Sequence, residues 1–247
     1  MSVIFAREGA RVLLVDSVPE RAEETRRLIA DEGGTSSVLA ADVTKSDDCR
    51  AIAEAAVERY GSLDILVNNV AVIATGNVVT VEESGWDRVL TVNLKSMVLT
   101  SKFAVPHMEK AGGGSIINMS SIEGLRFGTF APAIPYSVSK GAAMTLTTQM
   151  AVQHGRQGIR VNCIAPGFLY TPLVAPHLTP RMRELRKLAA PLGTEGTAWD
   201  VANAALFLAS DEARWVTGAM LAVDGGLLCT TPLSTFEDMH RAANELA

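Results

Sequence analysis

Residues 11–42 read RVLLVDSVPERAEETRRLIADEGGTSSVLAAD. An aliphatic run closes on Asp16, an amphipathic stretch of helical length follows from Pro19 to Glu32, and a second apolar run closes on Asp42. Strand, helix and strand in that order spell one crossover unit of a parallel sheet, whose strands are covered on both faces and so lack polar alternation. Pro19 suits a first helical turn, where no N–H is needed, and Gly33 and Gly61 are placed as helix stops.

The unit recurs outward from there. Strands are expected at Arg11 to Asp16, Ser37 to Ala41, Asp64 to Asn68, Ser115 to Ser120, Arg160 to Ala165 and Met220 to Val223. Helices are expected near Pro19 to Glu32, Ser46 to Tyr60, Glu82 to Lys110, Tyr136 to Gln157 and Thr197 to Ser210, with Thr80 to Glu83 spaced as a capping box. This predicts an α/β fold, a Rossmann-like doubly wound parallel sheet with helices on both faces and a ligand crevice beyond the carboxyl ends of its strands. Met1 to Phe5 reads as the second half of a helix ending near Gly9, with no strand before it. The central first strand of such a sheet is thus absent from these residues, and a gap is expected between the two strands that would pair with it.

Composition narrows the function. A chain of 247 residues, 48% hydrophobic and 20% charged, supports one domain with a large core, expected over 1–229. Ser234, Glu237, Phe236, Met239, Ala243 and Leu246 fall at capping and helical spacing, so 230–247 is expected to be a helical extension that packs on a second subunit of a homo-oligomer. A net charge of -5 with no basic face gives no means of holding nucleic acid or an anionic membrane. Without a long apolar run or a basic leader the expected location is cytoplasmic. The dispersed Cys49, Cys163 and Cys229 suggest neither a disulfide framework nor a metal site, and the four histidines lack metal-ligand spacing.

Chemistry concentrates at strand ends. Tyr136 and Lys140 stand four apart at a helix start, so phenol and ammonium share one face, and a cation there favours the phenolate. An ordinary helix start with a surface lysine has the same pattern. Ser120 and Ser121 end the run Ile116 to Met119, where a hydroxyl can hold a substrate oxygen or satisfy its own turn. Asn68, Asn69 and Asn93 are amides that need partners if buried, whether backbone or ligand. Asp16 and Asp42 close two strands, where a carboxylate either binds the adenosine ribose of a dinucleotide or caps the next helix.

In this order and at these intervals, Asp42-Val43-Thr44, Asn68-Asn69, Asn93, Ser120-Ser121, Tyr136-x-x-x-Lys140, Pro166-Gly167 and Val223-Asp224-Gly225-Gly226 resemble the classical short-chain dehydrogenase/reductase family over Phe5 to about Gly226. The resemblance implies hydride transfer between NAD and a small or medium alcohol or ketone. Tyr136 would be the general acid/base, Ser121 would orient the substrate oxygen, Lys140 would hold the nicotinamide ribose and lower the tyrosine pKa, and Asn93 would anchor a relay water. Asp16 would contact the adenosine ribose and disfavour NADP, Asp42 and Val43 the adenine, Asn69 the neighbouring ribose, and Pro166, Gly167, Leu169 and Thr171 the carboxamide side. Phe168 through Leu192 would form a mainly apolar substrate lid.

The sequence departs from the family pattern in the glycine-rich turn, absent ahead of residue 1, and in Val70-Ala71 where the family has Ala-Gly. Ser121 and Tyr136 are also more widely spaced than usual, so the loop Glu123 to Pro135 must bulge. The missing turn leaves a second reading open, a non-catalytic relative used for binding or assembly.

Overall fold

A computed structural model describes residues 1–126, 132–172 and 174–230. The chain begins in helix α1 (Ser2–Arg7) and enters β1 (Val12–Asp16), α2 (Pro19–Asp31), β2 (Ser36–Ala40) and α3 (Ser46–Tyr60). Next come β3 (Ile65–Asn68), α4 (Glu83–Leu90), α5 (Ser96–Ala111), β4 (Gly114–Met119) and α6 (Ile134–His154). The remainder is β5 (Ile159–Pro166), β6 (Leu169–Tyr170), α7 (Pro180–Ala189), β7 (Gly196–Thr197), α8 (Ala198–Ala209) and β8 (Met220–Val223). All six expected strands are present. The expected helix within 230–247 lies outside the described residues.

Strands β3, β4, β5 and β8 pair in that order, all parallel, while β1 and β2 form a separate parallel pair. The gap foreseen between β1 and β3 is therefore present: these two strands make no ladder with each other. Val12, Val15, Ile65 and Val67 are only half-buried, whereas Ile116 and Ile117 on the interior strand β4 are fully buried.

Strand β4 shows how the layers are made. Alternate side chains point to opposite faces, so Ile116 joins Val105 and Met108 of α5 and Met150 of α6, while Ile117 and Met119 join Phe5 of α1 and Val201 and Leu208 of α8. Helices on both faces explain why the strand reads as a continuous apolar run. Asn118 interrupts that run at no cost: it accepts from Asn68 Nδ2 at 2.9 Å and donates to Thr147 Oγ1 at 2.9 Å. The Asn68 amide is thus a structural tie between β3 and β4. Gly61 closes α3 at φ +88°, in the left-handed region expected of it.

The expected helix over Glu82 to Lys110 is present as one continuous helical run, Glu83 to Ala111, with a π-helical turn over Thr91–Lys95 between α4 and α5. The capping-box expectation is corrected. Thr80 caps nothing; its hydroxyl is engaged with the Asn77 side chain and backbone N–H, and α4 starts after Glu82 without a side-chain cap.

At the end of α8 the Arg160 guanidinium donates to the carbonyls of Leu208 (2.7 Å), Ser210 (3.0 Å) and Ala209 (3.3 Å), closing the helix terminus together with the Ser115 hydroxyl, which also donates to Leu208 at 2.9 Å. Arg160→Met is expected to lower unfolding stability by about 2 kcal/mol, seen as an earlier urea midpoint at unchanged slope. A midpoint equal to wild type would show that water replaces the guanidinium there.

Candidate active site

Because the strands in each sheet run parallel, their carboxyl ends share an edge. Asp16 closes β1, Asn69 follows β3, Ser120 and Ser121 follow β4, and Pro166 closes β5. Asn69, Ser120, Ser121 and Pro166 therefore collect at one edge of the four-stranded sheet, and Asp16 stands at the carboxyl end of the separate β1–β2 pair.

The turn after β4 is decided by two serines facing opposite ways. Ser120 Oγ donates to the Lys140 carbonyl at 2.6 Å and so clasps α6 to the sheet. Ser121 has extended backbone at φ −165°, accepts the Glu123 N–H at 3.2 Å, and stands beside the Tyr136 phenol. Gly124 makes this approach possible: a Cβ there would lie 2.7 Å from the Gly141 nitrogen. The far end of the expected bulge is tied by Gly76, whose N–H donates to the Pro132 carbonyl at 2.8 Å; residues 127–131 lie outside the description.

Helix α6 starts two residues before Tyr136, with Pro135 in its first turn. One turn on, the Lys140 ammonium lies 5.6 Å from the centre of the Tyr136 ring, so the two groups do share a face. Lys140 is only 2% exposed and donates to the Met119 carbonyl at 2.7 Å. Burial pulls its pKa down to about 8, with the neighbouring Cys163 acting in the opposite direction.

The expected effect of this ammonium on tyrosine is corrected. Burial pushes the Tyr136 phenol above its ordinary value, the Ser121 hydroxyl draws it down, and the Glu123 carboxylate pushes it up. Lys140 aims its ammonium at a carbonyl of β4 and not at the phenolic oxygen. Burial of the phenolate is the largest of these influences, and Lys140 is not among them.

Asn93 sits in the π-helical turn, fully buried. Its Oδ1 accepts from the Val72 N–H at 2.8 Å, and its Nδ2 donates to the Val72 carbonyl at 2.9 Å and to Ser139 Oγ at 3.1 Å. Ser139 in turn donates to the Tyr136 carbonyl at 2.7 Å. Both amide hydrogens are committed, so the side chain clamps the segment after β3 to the start of α6, and the expected water-anchoring role does not fall to its N–H groups.

Of the expected cofactor residues, Asp16 spends Oδ1 on the Val18 N–H at 2.8 Å and leaves Oδ2 unbonded among the described residues. Asp42 turns inward instead: Oδ1 takes both the Thr44 N–H (3.0 Å) and hydroxyl (2.7 Å), which hold this carboxyl below its ordinary range. Helix α3 is not capped by it. Val43 is half-buried beside it, and Asn69 is exposed. Gly167 donates to the Val223 carbonyl at 2.9 Å, next to half-buried Pro166, Leu169 and Thr171.

A nicotinamide nucleotide fits these groups in part. Lys140 has three N–H donors and one protein acceptor, which leaves two for ribose hydroxyls. Asp16 retains a free oxygen for the other ribose. The described residues contain no glycine turn to cradle a pyrophosphate.

The lid differs from its expectation. Between β6 and β7 it carries α7, capped by Thr179 Oγ1 accepting the Met182 N–H at 3.2 Å. Instead of being mainly apolar, this helix presents Arg181, Arg183, Arg186 and Lys187. Glu123 and Arg186, both half-buried and electrostatically coupled to one another, are site residues that the motifs do not mark.

A family model described as enoyl-(acyl carrier protein) reductase matches residues 2–228. The cis-4-hydroxycyclohexanecarboxylate dehydrogenase of Sinomonas cyclohexanicum is 38% identical, over 90% of this chain and 88% of that one. The chain belongs to the short-chain dehydrogenase/reductase family. The solved 7α-hydroxysteroid dehydrogenase with NADH and 7-oxo glycochenodeoxycholic acid superposes with TM-score 0.86 at 33% identity, covering 91% of this chain and 87% of that one. The gluconate 5-dehydrogenase of Burkholderia cenocepacia, solved with NADP and tartrate, gives TM-score 0.84 at 31% identity, covering 92% and 88%. As a member of this short-chain dehydrogenase/reductase family, the protein is a hydride-transferring oxidoreductase acting on a small-molecule alcohol or carbonyl with a nicotinamide dinucleotide. No helix among the described residues is long and apolar enough to cross a membrane.

Proposed function

We propose that the protein is an NAD-linked dehydrogenase of a small or medium alcohol, or the reductase of its ketone, with Tyr136 as general acid/base. The observation that carries this is the shared face of Tyr136 and Lys140 beside Ser121. When bound, a nicotinamide ring would supply or take the hydride. Ser121 donates to the substrate oxygen and fixes its position as charge develops there. In reduction Tyr136 gives its phenolic proton to that oxygen; in oxidation the phenolate takes the proton from the alcohol. Lys140 holds the nicotinamide ribose through its spare N–H groups, and Asn93 keeps the Val72 segment and α6 in register. Pro166, Gly167, Leu169 and Thr171 line the carboxamide side, with Asp42, Val43 and Asn69 around the adenosine.

Asp16 supports the preference for NAD, because its free oxygen accepts ribose hydroxyls and repels a 2′-phosphate. Asp16→Ser is expected to shift the ratio of kcat/KM values toward NADP by about 10-fold or more. An unchanged ratio in steady-state assays would remove Asp16 from the adenosine site.

The three cysteines are free, which supports a reducing, cytoplasmic setting. Trp215 is 92% exposed beyond α8, and Val152 on α6 is 80% exposed. These two exposed apolar side chains are what the reading of a homo-oligomer draws on. Light scattering tests that: a monomer at micromolar concentration would refute it.

A further inference from the structure

Three cations line the cleft beside Phe168 and Leu169: Arg183, Arg186 and Lys187. Two are occupied. Arg183 makes a bidentate pair with Glu195 at 2.5 Å and stacks on Tyr170, and Lys187 pairs with Glu184 at 3.5 Å. Arg186 makes no ion pair among the described residues. It is half-buried, its guanidinium lies 4.5 Å from the centre of the Phe168 ring, and its one hydrogen bond among the described residues is a long 3.4 Å contact to the Leu169 carbonyl. A planar cation fixed by stacking and left with free donors is a bidentate receptor for a carboxylate.

Glu123 gives this receptor a direction. It follows Ser121 on the same turn, and its charge is felt by both Tyr136 and Arg186. Glu123 repels an anion placed beside the Tyr136 phenol, whereas Arg186, stacked on Phe168, attracts one.

We infer that the substrate is a hydroxy or keto acid whose carboxylate is separated from the reacting carbon and is bound by Arg186. This rests on the hydride-transfer site at Tyr136 and adds the substrate class to it. Partial desolvation lowers the guanidinium's pKa more than Glu123 and Glu195 raise it, and an arriving carboxylate adds to their compensation.

The test uses 5-hydroxyhexanoate, its methyl ester and lactate, with wild type, Arg186→Met and Arg186→Lys. Wild type should prefer 5-hydroxyhexanoate to both others. Arg186→Met should raise its KM about 10- to 100-fold, leave the ester within about 2-fold, and change kcat little; Arg186→Lys should recover part of the loss as a point charge. Equal changes for acid and ester, or none, would overturn the inference. A binding readout separates this from catalysis: 5-hydroxyhexanoate with NADH should protect wild type against heat, and Arg186→Met much less. Equal protection of both, or none of wild type, overturns the carboxylate site whatever the turnover. A fully active Tyr136→Phe would instead sink the hydride-transfer reading and leave the binding result standing.

Discussion

Tyr136→Phe is expected to cut kcat by about 10²- to 10⁴-fold, the usual worth of a positioned acid or base, with little change in stability. The ring is retained, and the lost oxygen is the group that moves the proton. Dissociation constants for the nucleotide should stay within a few-fold, since Lys140 and Asp16 are untouched. The pH profile adds a second readout. Oxidation needs the phenolate, and burial raises the phenol's pKa, so wild-type oxidation should climb as pH rises toward that pKa. Reduction, which needs the neutral phenol, should fall over the same range. The residual rate of the variant should show neither limb. Full turnover by Tyr136→Phe, or unchanged limbs, would remove the tyrosine from the proton step.

Lys140→Met is expected to lose turnover by about 10²-fold or more, because the donors offered to the ribose vanish while an unbranched chain of similar length fills the space. Its stability profile is the more specific signature. The folded pKa of about 8 lies below the ordinary 10.5, so between those values the unfolded chain holds a proton that the folded chain has released. Stability from this group is therefore fully present above 10.5 and is lost as pH falls through 8. At about 1.4 kcal/mol per pH unit, a fall from 10.5 to about 8 corresponds to roughly 3 kcal/mol. Urea midpoints across pH 7 to 11 should show wild type gaining about that much relative to Lys140→Met, with other titrating groups cancelling in the difference. Parallel curves would mean that the ammonium is not buried as a charge.

Much of the site was legible because its signals are local. The Tyr136 and Lys140 pairing needs only one helical turn, and β4 announced itself through Ile116 and Ile117 because both of its faces are covered. The failures share a cause. Thr80 had capping-box spacing, but Asn77 competed for its hydroxyl. The π-helical turn around Asn93 follows from an amide that finds its partners at Val72 and Ser139, on other segments. Helix α7 was missed although Thr179 and Pro180 mark its start, since Met182, Leu185 and Leu188 remain half to more exposed and its face does not read as core.

Periodicity and strand-helix alternation along these residues were enough to specify the parallel architecture, the six main strands and the collection of polar groups at their carboxyl ends. Which serine faces the phenol, where the Lys140 ammonium points, and how Arg186 comes within electrostatic reach of Glu123 were settled only by packing. Backbone periodicity depends on near neighbours, whereas a buried polar group takes whichever partner the folded chain brings within hydrogen-bond range, however far away in sequence.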